Sequence, residues 1–196
     1  MARESGGRVV PKQLLRDTNI PVVRPDDQRQ LDLVVYGVTT NGVALCCDST
    51  MVSPLTSRGE PIARAAAEDG VALQRAVERK RRTYGELVAS PLGRLLVLGS
   101  EVGGRWSDDA QYLVAVLARH KAQSAPRMLQ GAARVAWAAR WWGLLGVAAQ
   151  SALACTLCGE GVGAFGGPAG QEAVPLEDAL DSCGARPIPS RLPMRG

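Results

Sequence analysis

The sequence predicts an α/β fold with one small core, in which a β-hairpin and a third strand are flanked by helices, followed by C-terminal helices and a disordered tail. Three observations carry that expectation. Two runs rich in Val, Leu and Cys are joined through an Asn-Gly turn. A stretch after residue 70 repeats apolar residues at helical spacing, and a nearly unbroken apolar run follows it. With 196 residues, 46% of them hydrophobic, the chain has room for one ordinary core and little more.

Residues 1–30 contain Pro11, Pro21 and Pro25 among several charges, so they read as an irregular lead-in with one short helix around Pro11 to Asp17. The first 23 residues are set outside the domain. Leu31 to Tyr36 (LDLVVY) is the first strand, Thr39-Thr40-Asn41-Gly42 the turn, and Val43 to Val52 (VALCCDSTMV) the second strand. Two Pro and a Gly make residues 53–68 a surface insertion, after which Asp69 or Gly70 can cap a helix from Val71 to Tyr84. Leu73, Ala76, Val77 and Tyr84 give that helix one apolar face. Arg94 to Glu101 (RLLVLGSE) is a strand covered on both faces, ended by Gly103-Gly104. Ser107 is a good N-cap for a helix reaching Lys121, and a longer helix after Pro126 carries Trp137, Trp141 and Trp142, with Arg127, Arg134 and Arg140 on its polar side. The domain thus spans 24–157, and the Gly- and Pro-rich residues 158–196 form the tail.

Composition narrows the classes. Lys and Arg number 23 against 19 acids, a net charge of +4 that suits a polyanion without requiring one. Only Lys12, Lys80 and Lys121 are lysines, so the positive charge is nearly all guanidinium; a GC-rich coding bias gives the same excess of Arg. Five Cys, at 46, 47, 155, 158 and 183, form no secreted disulfide framework. Cys155 and Cys158 make one CxxC, but zinc needs a second ligand pair and His120 is the only His, so the Cys read as small apolar core residues. The N-terminus lacks the apolar run of a secretory signal, and a nuclear or cytoplasmic location is expected. Trp141 to Leu157 carries no charge, yet it is short, Gly- and Ala-rich and interrupted by Gln150 and Ser151, which favours a buried helix over a membrane span.

The candidate chemistry sits on the hairpin and the next helix. Asp32 and Asp48 lie inside runs otherwise made of Val, Leu and Cys, where a charge is costly unless a partner, often a metal cation, compensates it. Lys80 and Tyr84, four residues apart, share the apolar face of the helix. Carboxylates to hold a divalent metal, and a cation to orient water and offset charge on phosphorus, are the inventory of phosphodiester hydrolysis. Hard carboxylate oxygens favour Mg²⁺ or Mn²⁺. In the bland alternative Lys80 snorkels to solvent and Asp48 is solvated at a strand end.

The segment RQLDLVVYGVTTNGVALCCDSTMV, followed by ERKRRTYGEL, resembles the C-terminal restriction-endonuclease-like domain of site-specific non-LTR retrotransposon proteins, a PD-(D/E)xK variant with its lysine on the helix. The likeness covers about residues 24–105 and departs from the pattern at Leu31, where the family has Pro, at Ser49-Thr50, and in the long segment 53–70. It implies that Asp32 and Asp48 are the metal-binding acids, Lys80 the catalytic lysine and Tyr84 the accompanying tyrosine, in a metal-dependent endonuclease that nicks target DNA. Arg24 or Arg29 matches an upstream basic position. DNA is the implied partner, with element RNA or a reverse transcriptase encoded elsewhere as further ones. The rival readings are a catalytically inactive nucleic-acid-binding remnant and a non-functional fragment.

Other features carry less. Arg105 with Trp106 can set a cation and an aromatic ring against nucleic acid, although packing serves as well. Glu101 is a ligand or merely the end of a strand. The Trp cluster should cover one side of the core, and the glycines of 159–170 lack the strand and helix that a phosphate loop needs.

Overall fold

The hairpin forms where the Asn-Gly turn places it. In the computed structural model, which describes residues 1–18, 20 and 23–158, strand β2 (Gln30–Tyr36) pairs antiparallel with β3 (Ala44–Val52), with Leu33 opposite Cys47 and Val35 opposite Leu45. Gly42 closes the turn by donating its N–H to the Thr39 carbonyl at 3.3 Å, with φ at 72°, a backbone that glycine adopts without strain.

Strand β4 (Gly93–Glu101) lies parallel to β3, with Asp48 opposite Val97. A parallel neighbour needs a crossover, and helices α1 (Val71–Thr83) and α2 (Gly85–Ala89) supply it. Gly70, with φ 76°, occupies the N-cap of α1 and no side chain caps that end, so Asp69 does not cap it. Helix α1 lies so close on β4 that a Cβ at Gly99 would come within 2.5 Å of Leu73 Cδ1. Insertion 53–68 is turns held by an isolated bridge between Leu55 and Pro61.

The lead-in differs from the expectation. Rather than irregular chain with a helix at Pro11 to Asp17, residues Arg8–Leu14 form strand β1, paired antiparallel with β2, and Leu15–Thr18 form a single 3-10 turn. Pro11 argues against a strand, but β1 is an edge strand (sheet order β1-β2-β3-β4), where a missing N–H is tolerated.

Alternation along the strands splits the core between the two sheet faces. Val34, Cys46, Leu95 and Val97 pack with Tyr84 and Leu87 on the α1 and α2 side. Val35, Leu45, Cys47 and Leu96 pack against Leu113, Val114 and Leu117 of α3 (Asp108–Ala122) and Trp141 of α4 (Gln130–Cys158). Ser107 is the N-cap of α3: its Oγ accepts from Ala110 N–H and Gly99 N–H and donates to the Val97 carbonyl at 2.7 Å, pinning the helix start to β4.

The uncharged stretch from Trp141 to Leu157, in α4, is not buried throughout: Trp141 is fully buried, while Val147 is 66% exposed. Trp137, Trp142, Leu144 and Leu145 make the helix's packing against the core. No helix among the described residues is long and apolar enough to cross a membrane. Residues 1–154 form one compact unit; of the second, 155–196, only the end of α4 is described, and the expected tail of 158–196 lies outside the described residues apart from the helix's last position.

Candidate active site

Asp48 sits two residues beyond Cys46 on β3, so alternation turns it to the α1 side, where burial leaves it 4% exposed. Lys80 lies on the α1 face that covers this spot, and its Nζ is 2.6 Å from Asp48 Oδ2. The lysine side chain keeps 27% of its surface exposed against 6% for the aspartate. The approach is not along a hydrogen-bonding direction: Asp48 Oδ2 is buried with no hydrogen-bond partner among the described residues. The bland alternative of a solvated Asp48 and a snorkelling Lys80 is thereby set aside. A buried carboxylate is costly unless a cation compensates it, and among the described residues Lys80 is the cation in contact with Asp48.

Asp32 lies on β2, one position before the pair Leu33–Cys47, so continuing the register brings it level with Asp48. Its carboxylate already has partners. Oδ1 accepts from Lys12 Nζ at 2.9 Å, and Oδ2 accepts from the Ser49 amide at 2.8 Å and from the Ser49 hydroxyl. Burial pushes its pKa up, but the Ser49 hydroxyl, Lys12 and the Ser49 amide together bring it below the ordinary carboxylate value. The carboxylate is therefore ionised at neutral pH.

Tyr84 follows α1 and is 5% exposed, with its hydroxyl donating to the Gln30 carbonyl of β2 at 3.0 Å. Its N–H closes the helix on the Lys80 carbonyl. Burial, then the charges of Asp48 and Asp32, raise the phenol pKa, so both acids are felt at one ring. Tyr84 thus ties the end of α1 to β2 and fixes the turn that carries Lys80.

The structure brings Lys80 to Asp48 with Tyr84 beside them, and it puts Asp32 on the adjacent strand under Lys12. The other candidate residues lie apart. Arg29 binds Asp27 through Nε and Nη2, reaches Glu86, and donates to the Thr83 carbonyl at the end of α1, so its guanidinium is spent on the fold. Arg24 is exposed and lines a polar depression together with Asp27, Arg29 and Glu86. Arg105 pairs with Glu101 and Asp69, each at 3.2 Å, which gives Glu101 a cation partner at the strand end. A cavity of about 440 Å³ between α1 and the start of α3 is lined by Arg81, Arg105, Trp106 and Asp109 but by none of Asp32, Asp48 or Lys80.

Lys12 and Ser49 escaped the sequence reading. The available signal was that the chain has three lysines, and two of them stand on the two acids. Cys46, Cys47 and Cys155 are buried and free, as read, and burial pushes the Cys46 thiol up to about 11, while the Cys158 side chain and Cys183 lie outside the described residues.

The oxygen donors fit a hard divalent ion of the Mg²⁺ or Mn²⁺ kind, which commonly takes one or two carboxylates and completes its shell from water and phosphate. Asp48, whose Oδ2 carries Lys80 Nζ at 2.6 Å, and the ionised Asp32 are the two carboxylates that would hold it. No group of three or more His, Cys, Asp or Glu side chains gathers among the described residues. No family model matches the chain, and no curated protein matches it.

Proposed function

We propose that this chain is a metal-dependent DNA endonuclease with a restriction-endonuclease-like core, of the kind found in site-specific non-LTR retrotransposon proteins. The observation that carries the reading is the lysine ammonium 2.6 Å from a buried strand aspartate whose Oδ2 has no hydrogen bond among the described residues. The order of parts supports it as well: an acid on β2, an acid in apolar β3, and Lys80 with Tyr84 in the helix that follows. In this reading Asp48 and Asp32 hold the ion. When bound, the ion supplies Lewis-acid neutralisation of the phosphate charge. Lys80, held in place by Asp48, orients the attacking water and offsets charge developing on phosphorus. Tyr84 keeps Lys80 in position through its bond to Gln30.

The full-length protein is expected to convert supercoiled plasmid to open circle with Mg²⁺ or Mn²⁺ and not with excess chelator. Plasmid left supercoiled at high protein and Mn²⁺ concentration would remove the catalytic reading.

One observation favours a catalytically silent nucleic-acid-binding form of the same domain: Lys12 and Lys80 already neutralise both acids. Binding of DNA that weakens with salt but leaves the plasmid intact is its signature, because phosphate contacts release counterions.

A further inference from the structure

We propose that Lys12 is a tethered cation that occupies the Asp32 carboxylate and competes with the divalent ion for it, while Lys80 stays on Asp48. This rests on the metal-dependent reading of the site. Lys12 falls between the register pairs Pro11–Leu33 and Gln13–Leu31 of β1 and β2, directly across from Asp32, and the ladder skips that position. Its backbone has φ 51°, in the left-handed region that side-chain-bearing residues rarely adopt. This kink has its own support, since Gln30 Nε2 donates to the Lys12 carbonyl at 2.9 Å and the Gln30 carbonyl accepts from Tyr84 at 3.0 Å. The strained turn of β1 is thus linked to the end of α1, and the lysine it carries lands 2.9 Å from Asp32 Oδ1.

The two lysines differ in how firmly they are held. Lys12 is 68% exposed and its partner 32%, so water and salt screen the pair and a divalent ion can displace it. Lys80 faces an aspartate only 6% exposed, which loses the cation in contact with it if the lysine departs. Lys12 is therefore the replaceable cation and Lys80 the resident one. In the absence of metal Lys12 offsets the charge of two acids on adjacent strands. When metal arrives, its ammonium is released at the rim of the site.

Mn²⁺ alone, titrated into the full chain and followed by the electron-spin resonance of the free ion, tests this. Lys12→Met keeps the Cβ and the length of the stem, so the backbone strain is the same. Removing the competing charge should tighten Mn²⁺ binding roughly five- to tenfold, since an exposed pair is worth up to about fivefold and repulsion of the ion adds to it. Lys12→Arg should bind as the wild type does, and Asp32→Asn in the Lys12→Met background should abolish the gain. Equal or weaker binding by Lys12→Met overturns the role of Lys12 and leaves the metal site standing. If neither protein binds Mn²⁺ more tightly than its Asp32→Asn and Asp48→Asn variants, the metal site fails and the role of Lys12 falls with it.

Discussion

Lys80→Met is expected to lower stability by about 3 kcal/mol and to cut divalent-dependent plasmid nicking about a thousandfold. The first effect follows from asymmetric burial. Without the ammonium, Asp48 is left as a carboxylate with 6% of its side chain exposed and no hydrogen bond to Oδ2 from the described residues. Asp48→Asn should cost less, about 1 kcal/mol, because Lys80 can swing its long stem toward solvent once released. The double variant Lys80→Met/Asp48→Leu replaces the pair with apolar groups of similar size and should recover most of the loss. It should not recover nicking, which separates the structural role of the pair from the chemical one. Urea unfolding of the four proteins beside a supercoiled-plasmid assay reads both. Equal costs for the two single variants would mean that Asp48 reaches water in solution. Nicking retained by Lys80→Met would remove the lysine from the proposed chemistry.

Trp141→Ala should destabilise the fold by about 4 kcal/mol, in the range found for emptying a buried aromatic site. Trp141 is the largest fully buried side chain, and its neighbours on β2, β3 and β4 cannot collapse far because the sheet holds their spacing. The indole N–H also donates to Glu4 Oε2 at 2.8 Å. Burial raises the pKa of Glu4, yet the Trp141 bond and the Arg140 guanidinium carry it below its usual value. Trp141→Phe keeps most of the ring volume and removes that bond, so about 1 to 2 kcal/mol is expected, with Glu4 still held by Arg140 at 3.2 Å. A loss under about 1 kcal/mol for Trp141→Ala in urea unfolding would mean that α4 does not pack on the sheet as described.

The elements that the sequence shows most clearly are those whose local signals agree with their tertiary place. The Asn-Gly turn, the Val-rich runs beside it, the 3.6-residue spacing of Leu73, Ala76, Val77 and Tyr84, and the Ser107 cap all survive in the structure. Strand β1 was illegible because Pro11 and the charges around it argue against a strand, and only its edge position makes them harmless. Losing β1 meant losing Lys12, whose effect on Asp32 depends on cross-strand register and a left-handed backbone that no local pattern announces. Likewise, the uncharged stretch from Trp141 to Leu157 suggests burial, but the helix has one face on the core and another in water, where Val147 stands. Asp48 and Lys80 were legible because the cost of a charge in an apolar strand is a local fact that demands a nearby partner.

Crystals of the full-length protein grown with Mn²⁺ and measured at its absorption edge would locate the ion by its anomalous scattering. A single peak bonded to one carboxylate oxygen each from residues 32 and 48, with Lys80 still on the second of them and Lys12 turned away, is the expected result. Density lacking any such peak at saturating Mn²⁺, with Lys12 unmoved, would contradict the shared two-acid site on which the proposed hydrolysis depends.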